Sequence, residues 1–148
     1  MARLALYRHV TLRGGMKSVK ALRLILRTPA LLNCLRFFEV FYVDSIARYK
    51  AAEVARLTID VVMKATSLDS FTASGRLFQT REQQVAFIQS TRERSTPLTY
   101  LQIGSGCLFD RWTDLSIPRL HYIYWQGAHG ESLYSQNSCL VTALMQIL

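Results

Sequence analysis

Apolar and basic residues alternate at helical spacing near the start of the chain. Between residues 16 and 27 the apolar positions fall on one face of a helix and the basic positions on the other. Thr28 suits the cap of a following helix, and Pro29 suits its first position. The pattern therefore predicts a basic amphipathic helix over residues 16–27, preceded by a short helix over residues 3–10.

The strongest helical signal runs from Pro29 to about Ala65, where neither a glycine nor an internal proline interrupts the pattern. Its first part, residues 31–43, is apolar on nearly every side, which is typical of a helix buried by neighbouring elements or subunits. Its second part carries charged residues three and four positions apart, which favours ion pairs along one helix face. These charged residues are Glu53, Arg56, Asp60 and Lys64.

Shorter elements are predicted in the rest of the chain. Residues 67–75 have the composition of a loop, and the Thr80-x-x-Gln83 pattern predicts a capping box that opens a helix ending near Arg94. Residues 98–103 suit a short strand, residues 118–126 an extended aromatic segment, and residues 138–148 an apolar helix. Since no internal repeat is visible, we expect a mostly α fold: a long central amphipathic helix, shorter helices, and a small β element in the C-terminal third.

The excess positive charge of the chain is confined to its N-terminal part. The net charge is +8; residues 1–38 contain eight basic residues and no acid, while residues 39–148 contain ten residues of each sign. We therefore expect a basic N-terminal arm over residues 1–28 and a single mainly helical domain over residues 29–148. Such an arm resembles a mitochondrial targeting segment, and it also suits binding to anionic lipid or nucleic acid.

No combination of residues predicts catalysis, a cofactor or a metal. Cys34, Cys107 and Cys139 show neither a CxxC pattern nor ligand spacing with histidine. Gly104-Ser105-Gly106 lacks the lysine of a phosphate-binding loop, and no GxSxG sequence frames a nucleophile. We therefore expect a protein that is not an enzyme, with no catalytic, cofactor-binding or metal-binding residues.

Leu6-Tyr7-Arg8 resembles the signature of the LYR-motif family of small, basic, helical mitochondrial proteins. The resemblance covers these three residues near the N-terminus and the basic helical sequence that follows them. It implies that Leu6, Tyr7 and Arg8 lie on the first helix. It also implies a role as an accessory subunit or assembly factor of respiratory complexes, or in iron–sulfur cluster delivery.

The preferred function is a non-catalytic accessory or structural subunit of a large mitochondrial assembly. The apolar surplus and the all-round apolar segment favour an inner-membrane respiratory-chain or ATP synthase complex. The expected partners are other subunits of that complex, with anionic lipid as a further candidate. The arm is expected to bind through Arg3, Leu6, Tyr7, Arg8, Arg13, Arg23 and Arg27. A partner-binding apolar seam is expected at Leu22, Ile25, Leu26, Phe37, Phe38 and Phe41.

Two alternative functions stay open. A mitochondrial ribosomal protein would thread its basic arm between helices of rRNA, although the balanced charge after residue 38 counts against it. The other alternative is a small soluble enzyme without a recognisable motif. Tyr122, Tyr124 and Trp125 would suit base stacking, but packing in the core or at an interface is the preferred interpretation.

Overall fold

The computed structural model describes residues 6–13, 16–41, 48–74, 77–103, 122–126 and 132–135. The strands are β1 (His9–Arg13), β2 (Phe37–Phe41), β3 (Ser70–Ser74), β4 (Tyr100–Ile103), β5 (Tyr122–Gln126) and β6 (Ser132–Ser135). The helices are α1 (Met16–Arg27), α2 (Pro29–Cys34), α3 (Arg48–Lys64) and α4 (Arg81–Arg92). A 3₁₀ turn at Leu6–Arg8 precedes β1.

The strands form one sheet in which each strand lies beside the next one along the chain, in the order β1-β2-β3-β4-β5-β6. Strands β1 to β5 are parallel, and β6 pairs antiparallel with β5. Helix α1 packs against α3, and α3 packs against α4. Crossovers of one hand that always step in the same direction place their helices on one face of the sheet. The described residues therefore form an α/β sheet with a single layer of helices.

The core is the apolar layer between the sheet and these helices. Alternate strand residues point into it, and the strands contribute Leu12, Phe38, Val40, Phe71, Ala73, Leu101 and Ile103. The rings of Phe38 and Phe71 have centroids 5.7 Å apart, and Phe71 lies 5.3 Å from Phe87 of α4. Phe87 in turn stacks on Phe78 at 4.7 Å. This chain of aromatic contacts joins β2, β3 and α4, at distances typical of favourable ring packing.

Arg94 joins the end of α3 to the segments that lead into β3 and β4. Its guanidinium donates to the carbonyl oxygen of Val62, and to those of Leu68 and Thr96 at 2.9 Å each. Val62 lies in the last turn of α3, where carbonyl groups lack partners within the helix. Burial lowers the pKa of Arg94 to about 10, and the negative charge of Asp69 partly offsets this lowering. The side chain therefore stays charged at neutral pH, and its charge is matched by carbonyl dipoles.

The prediction of a mostly α fold is wrong, and the main reason lies between residues 29 and 65. The predicted long central helix is two helices with a strand between them: α2 ends at Cys34, β2 follows, and α3 begins at Arg48. Exposure along β2 is high at Phe37, nil at Phe38 and again low at Val40, which follows the period of two of a strand. Aromatic and β-branched side chains favour that conformation.

Two further expectations need correction. Within the predicted helix over residues 3–10, the described residues form the 3₁₀ turn and the start of β1. The predicted loop over residues 67–75 contains β3. The described residues of the predicted arm form β1 and α1, which contribute to the same sheet and the same core as the residues after position 28.

Other local predictions are confirmed. Helix α1 has the predicted bounds, Thr80 and Gln83 form the capping box of α4, and β4 and β5 lie within the predicted extended segments. Pro29 opens α2, although the side chain of Thr28 makes no capping hydrogen bond. The predicted helix over residues 138–148 and the sequence Gly104-Ser105-Gly106 lie outside the described residues.

The fold also contains a structural repeat that is not visible as a sequence repeat. The first four strands begin at His9, Phe37, Ser70 and Tyr100. These starts are roughly 30 residues apart, a spacing within the range of repeat architectures. In each of the first three units the strand is followed by one or two helices, and neighbouring units stack against each other.

Thr58 of α3 provides a test of the core. Its hydroxyl group is fully buried and has no hydrogen-bond partner among the described residues. The substitution Thr58→Val removes this unpaired group while keeping a similar shape, so we expect the free energy of unfolding to rise by about 1 kcal/mol. Urea denaturation followed by circular dichroism measures the change.

The matched control is Thr91→Val in α4. The buried hydroxyl of Thr91 donates to the carbonyl oxygen of Ile88 at 2.6 Å. Its removal should lower the free energy of unfolding by about 1 kcal/mol, because a formed hydrogen bond is lost. A loss of stability in Thr58→Val equal to that in Thr91→Val would show that the Thr58 hydroxyl is paired.

Candidate binding surface on the open face of the sheet

The sheet has one face that no described helix covers, which we call the open face. It carries the alternate strand residues whose neighbours enter the core. Exposure on this face falls from the edge towards the middle. The side chains from β1 are exposed and those from β2 are exposed or half-buried, whereas Thr72 of β3 is only 8% exposed. The accessible part of the face therefore lies on β1 and β2.

We define the candidate surface as the six open-face residues of these two strands. Strand register places them in three adjacent pairs. The pairs are His9 with Phe37, Thr11 with Glu39, and Arg13 with Phe41. Phe37 is 46% exposed, whereas its neighbour Phe38 is 0% exposed on the core side. The surface thus combines an exposed aromatic ring with polar and charged groups.

Glu39 is the centre of the polar contacts on this surface. Thr11 Oγ1 donates to Glu39 Oε2 at 2.8 Å, and His9 Nε2 lies 3.4 Å from the same oxygen. The His9 ring also contacts Phe37, with ring centroids 5.9 Å apart. These contacts span β1 and β2 and fix the side chains around Phe37.

Threonine, histidine and glutamate also occur together in nucleophilic active sites, but this geometry does not support that chemistry. A nucleophilic hydroxyl must give its proton to the histidine, and the carboxylate must orient that histidine. Here Thr11 donates to Glu39 and lies 3.5 Å from His9 Nε2. The side chain of His9 is 58% exposed, so bulk water surrounds the group. The arrangement suits surface recognition better than catalysis.

Further along the open face, Tyr100 Oη donates to Gln102 Oε1 at 2.7 Å within β4. The register of β4 and β5 places Tyr122 beside Tyr100 and Tyr124 beside Gln102. The aromatic segment predicted in the C-terminal third is therefore part of the same sheet.

The described basic residues of the predicted arm are on the surface, but they differ in their partners. Arg23 pairs with Glu53 of α3. Arg8, Arg13 and Arg27 are exposed, while Arg3 lies outside the described residues. Tyr7 is 45% exposed in the 3₁₀ turn. Leu6-Tyr7-Arg8 forms a three-residue 3₁₀ helix followed by a strand, not the start of an α-helix, and the LYR resemblance itself stays a prediction.

The predicted apolar seam is divided by the fold. Leu22 and Phe38 are fully buried in the core of this chain, Ile25 is 6% exposed, and Leu26 is partly buried against the same core. These side chains are already occupied by intramolecular packing. Phe37 and Phe41 lie on the open face, so they are the members of the seam that are placed to meet a partner.

Sequence reasoning did not identify His9, Thr11 and Glu39 as site residues. Their proximity depends on the register of β1 with β2, which joins residues 28 positions apart. The only local signal was the aromatic and β-branched composition of residues 37–41, because the polarity of this short run does not alternate.

No protein-family model matches the chain, and comparisons with curated proteins and with solved structures found no match. Within the described ranges no helix is long and apolar enough to cross a membrane. The same residues contain no group of three or more His, Cys, Asp or Glu side chains placed to hold a metal ion. The mitochondrial, LYR-family, lipid and rRNA assignments stay predictions, and the surface is interpreted from its own chemistry.

The adjacent pair Phe37 and Phe38 tests which side of β2 is open. Phe38→Ala should lower the free energy of unfolding by about 3–5 kcal/mol, because it empties a filled core position. Phe37→Ala should lower it by less than about 1 kcal/mol, because that ring already contacts water. Thermal and urea unfolding measure both variants. Equal losses in the two variants would contradict the assigned face.

Proposed function

We propose that this chain is a non-catalytic binding module of a larger protein assembly, which holds a partner protein on the candidate surface. The observation that carries the proposal is the one-sided sheet. Parallel sheets almost always have both faces covered, because their strands are apolar on both sides. Here the described helices cover one face, while the other exposes Phe37 beside Glu39 and His9.

The stacking of the units favours a partner on this face. Neighbouring strands are about 4.8 Å apart, whereas packed helices need about 8–10 Å. Units that carry their helices on one side are therefore spaced more widely on the helix side than on the strand side. The sheet must then curve, and its strand face becomes the concave one. Repeat proteins of this kind use their concave surfaces for binding.

The composition of the candidate surface favours protein over RNA. Protein interfaces are enriched in aromatic residues and arginine, and a few aromatic anchors supply much of their binding energy. Phe37 and Phe41 suit that role, with Arg13 beside them. RNA binding depends on an excess of positive charge along the surface. The carboxylate of Glu39 lies at the centre of this one, where it would repel phosphate.

The identity of the assembly is predicted from features other than the candidate surface. A mitochondrial inner-membrane complex, of the respiratory-chain or ATP synthase type, is favoured by the acid-free basic sequence over residues 1–38 and by the apolar surplus of the chain. A third ground, an all-round apolar helix over residues 31–43, is lost because that segment contains β2. The proposed binding function therefore depends on the candidate surface and not on the compartment of the assembly.

Site-specific photo-cross-linking in the source cells tests the proposed function. A benzoylphenylalanine at position 37 should form discrete protein adducts, because the ring would face the partner. The matched control is position 85 on α4, where Val85 is 48% exposed on the helix side and should give no such adducts.

A second variant separates specific docking from non-specific cross-linking. Glu39→Lys reverses the charge beside position 37, so it should reduce the adducts by a large factor if the partner is held on this surface. Adducts of equal yield at positions 37 and 85, or adducts removed by ribonuclease, would overturn the proposal. The ribonuclease result would make RNA the partner.

A further inference from the structure

Strand β1 ends the sheet, and no described strand lies beyond it. It pairs with β2 on one side, so backbone N–H and C=O groups face outward on the other. Such an edge is a template for another strand. It differs from the candidate surface in using the outward backbone groups of β1, although Arg13 belongs to both.

Helix α1, which follows β1 in the chain, carries further exposed residues of the same unit. Arg23 of α1 pairs with Glu53, which marks the side of α1 that faces α3. Successive helical residues are about 100° apart, so Lys17 and Leu24 lie about 100–120° around the axis from Arg23, on the side opposite the core residue Leu22. They therefore lie on the solvent side of α1, away from the core and from Glu53.

We define the β1 flank as the free edge of β1 together with Arg13, Lys17 and Leu24. Leu24 is 60% exposed, although it is a large apolar side chain. Arg13 and Lys17 are both exposed. The flank therefore combines unpaired backbone groups with one exposed apolar side chain and positive charge.

The positive charge of the flank is not neutralised among the described residues. Five exposed cations of the first unit form no ion pair with a described residue: Arg8, Arg13, Lys17, Lys20 and Arg27. The nearby carboxylates are already engaged, since Glu53 pairs with Arg23, and Asp69 pairs with Arg36 at 3.3 Å. Glu39 lies on β2, one strand in from the edge, so a partner along the flank would meet an excess of positive charge.

We propose that the β1 flank binds an extended acidic segment of a partner protein, which adds to the sheet as a strand beside β1. Backbone hydrogen bonds would supply the docking mode, and acidic side chains would complement the cations. A second copy of this chain is a poor occupant, because pairing two β1 edges would bring two basic flanks together. RNA is also a poor occupant, because it cannot form the repeating backbone hydrogen bonds of a strand with β1.

The test uses the full chain and an eight-residue peptide of alternating glutamate and valine as the probe. The peptide should bind and should slow amide hydrogen exchange in β1. The double variant Arg13→Glu with Lys17→Glu should weaken binding at least tenfold. The matched control Arg81→Glu changes an exposed cation of α4, far along the chain from the flank, and should bind as the parent does.

Two further probes identify the mode of binding. A peptide with alternate backbone amides methylated should lose binding, because it cannot hydrogen-bond to the edge. A lysine–valine peptide should not bind, because its charge matches that of the flank. Failure of the glutamate–valine peptide to bind, equal binding of the methylated peptide, or tighter binding of an oligouridine of equal length would each overturn the proposal. Each result is independent of cross-linking at position 37.

Discussion

The apolar layer between the sheet and its single layer of helices is the interaction on which the rest of this molecule depends. Strands β1 to β4 contribute alternate residues to that layer and the described helices contribute one face each, and the rings of Phe38, Phe71, Phe87 and Phe78 run through it. Because these four strands bury alternate side chains there, their remaining side chains must lie on the opposite face. The open face is thus a consequence of the core rather than a separate feature.

Local signals in the sequence predict local structure well in this chain. The capping box at Thr80 and the basic helix α1 each depend on residues within a few turns, and both are present in the structure. Strand β2 is different, since a short apolar run has no periodicity that separates a buried strand from a buried helix. Its conformation is decided by β1 and β3, which pair with it from positions about 30 residues away.

The same limit applies to the candidate surface. Arg13, Phe37 and Phe41 were identifiable from residue type alone, as a cation and two aromatic residues outside an obvious core pattern. Thr11 and Glu39 were not, because their contact exists only once β1 and β2 are in register. Leu22 and Phe38 show the opposite case. Both were predicted to meet a partner from the faces of predicted helices, but both fill the core of this chain.

The central claim, that one side of β2 is packed and the other open, is tested most directly by hydroxyl-radical footprinting of the full chain. The method compares the oxidation rates of neighbouring side chains within one sample. We predict rapid oxidation of Phe37, which is 46% exposed, and strong protection of Phe38, which is 0% exposed. Equal protection of Phe37 and Phe38 would contradict an open face on this sheet.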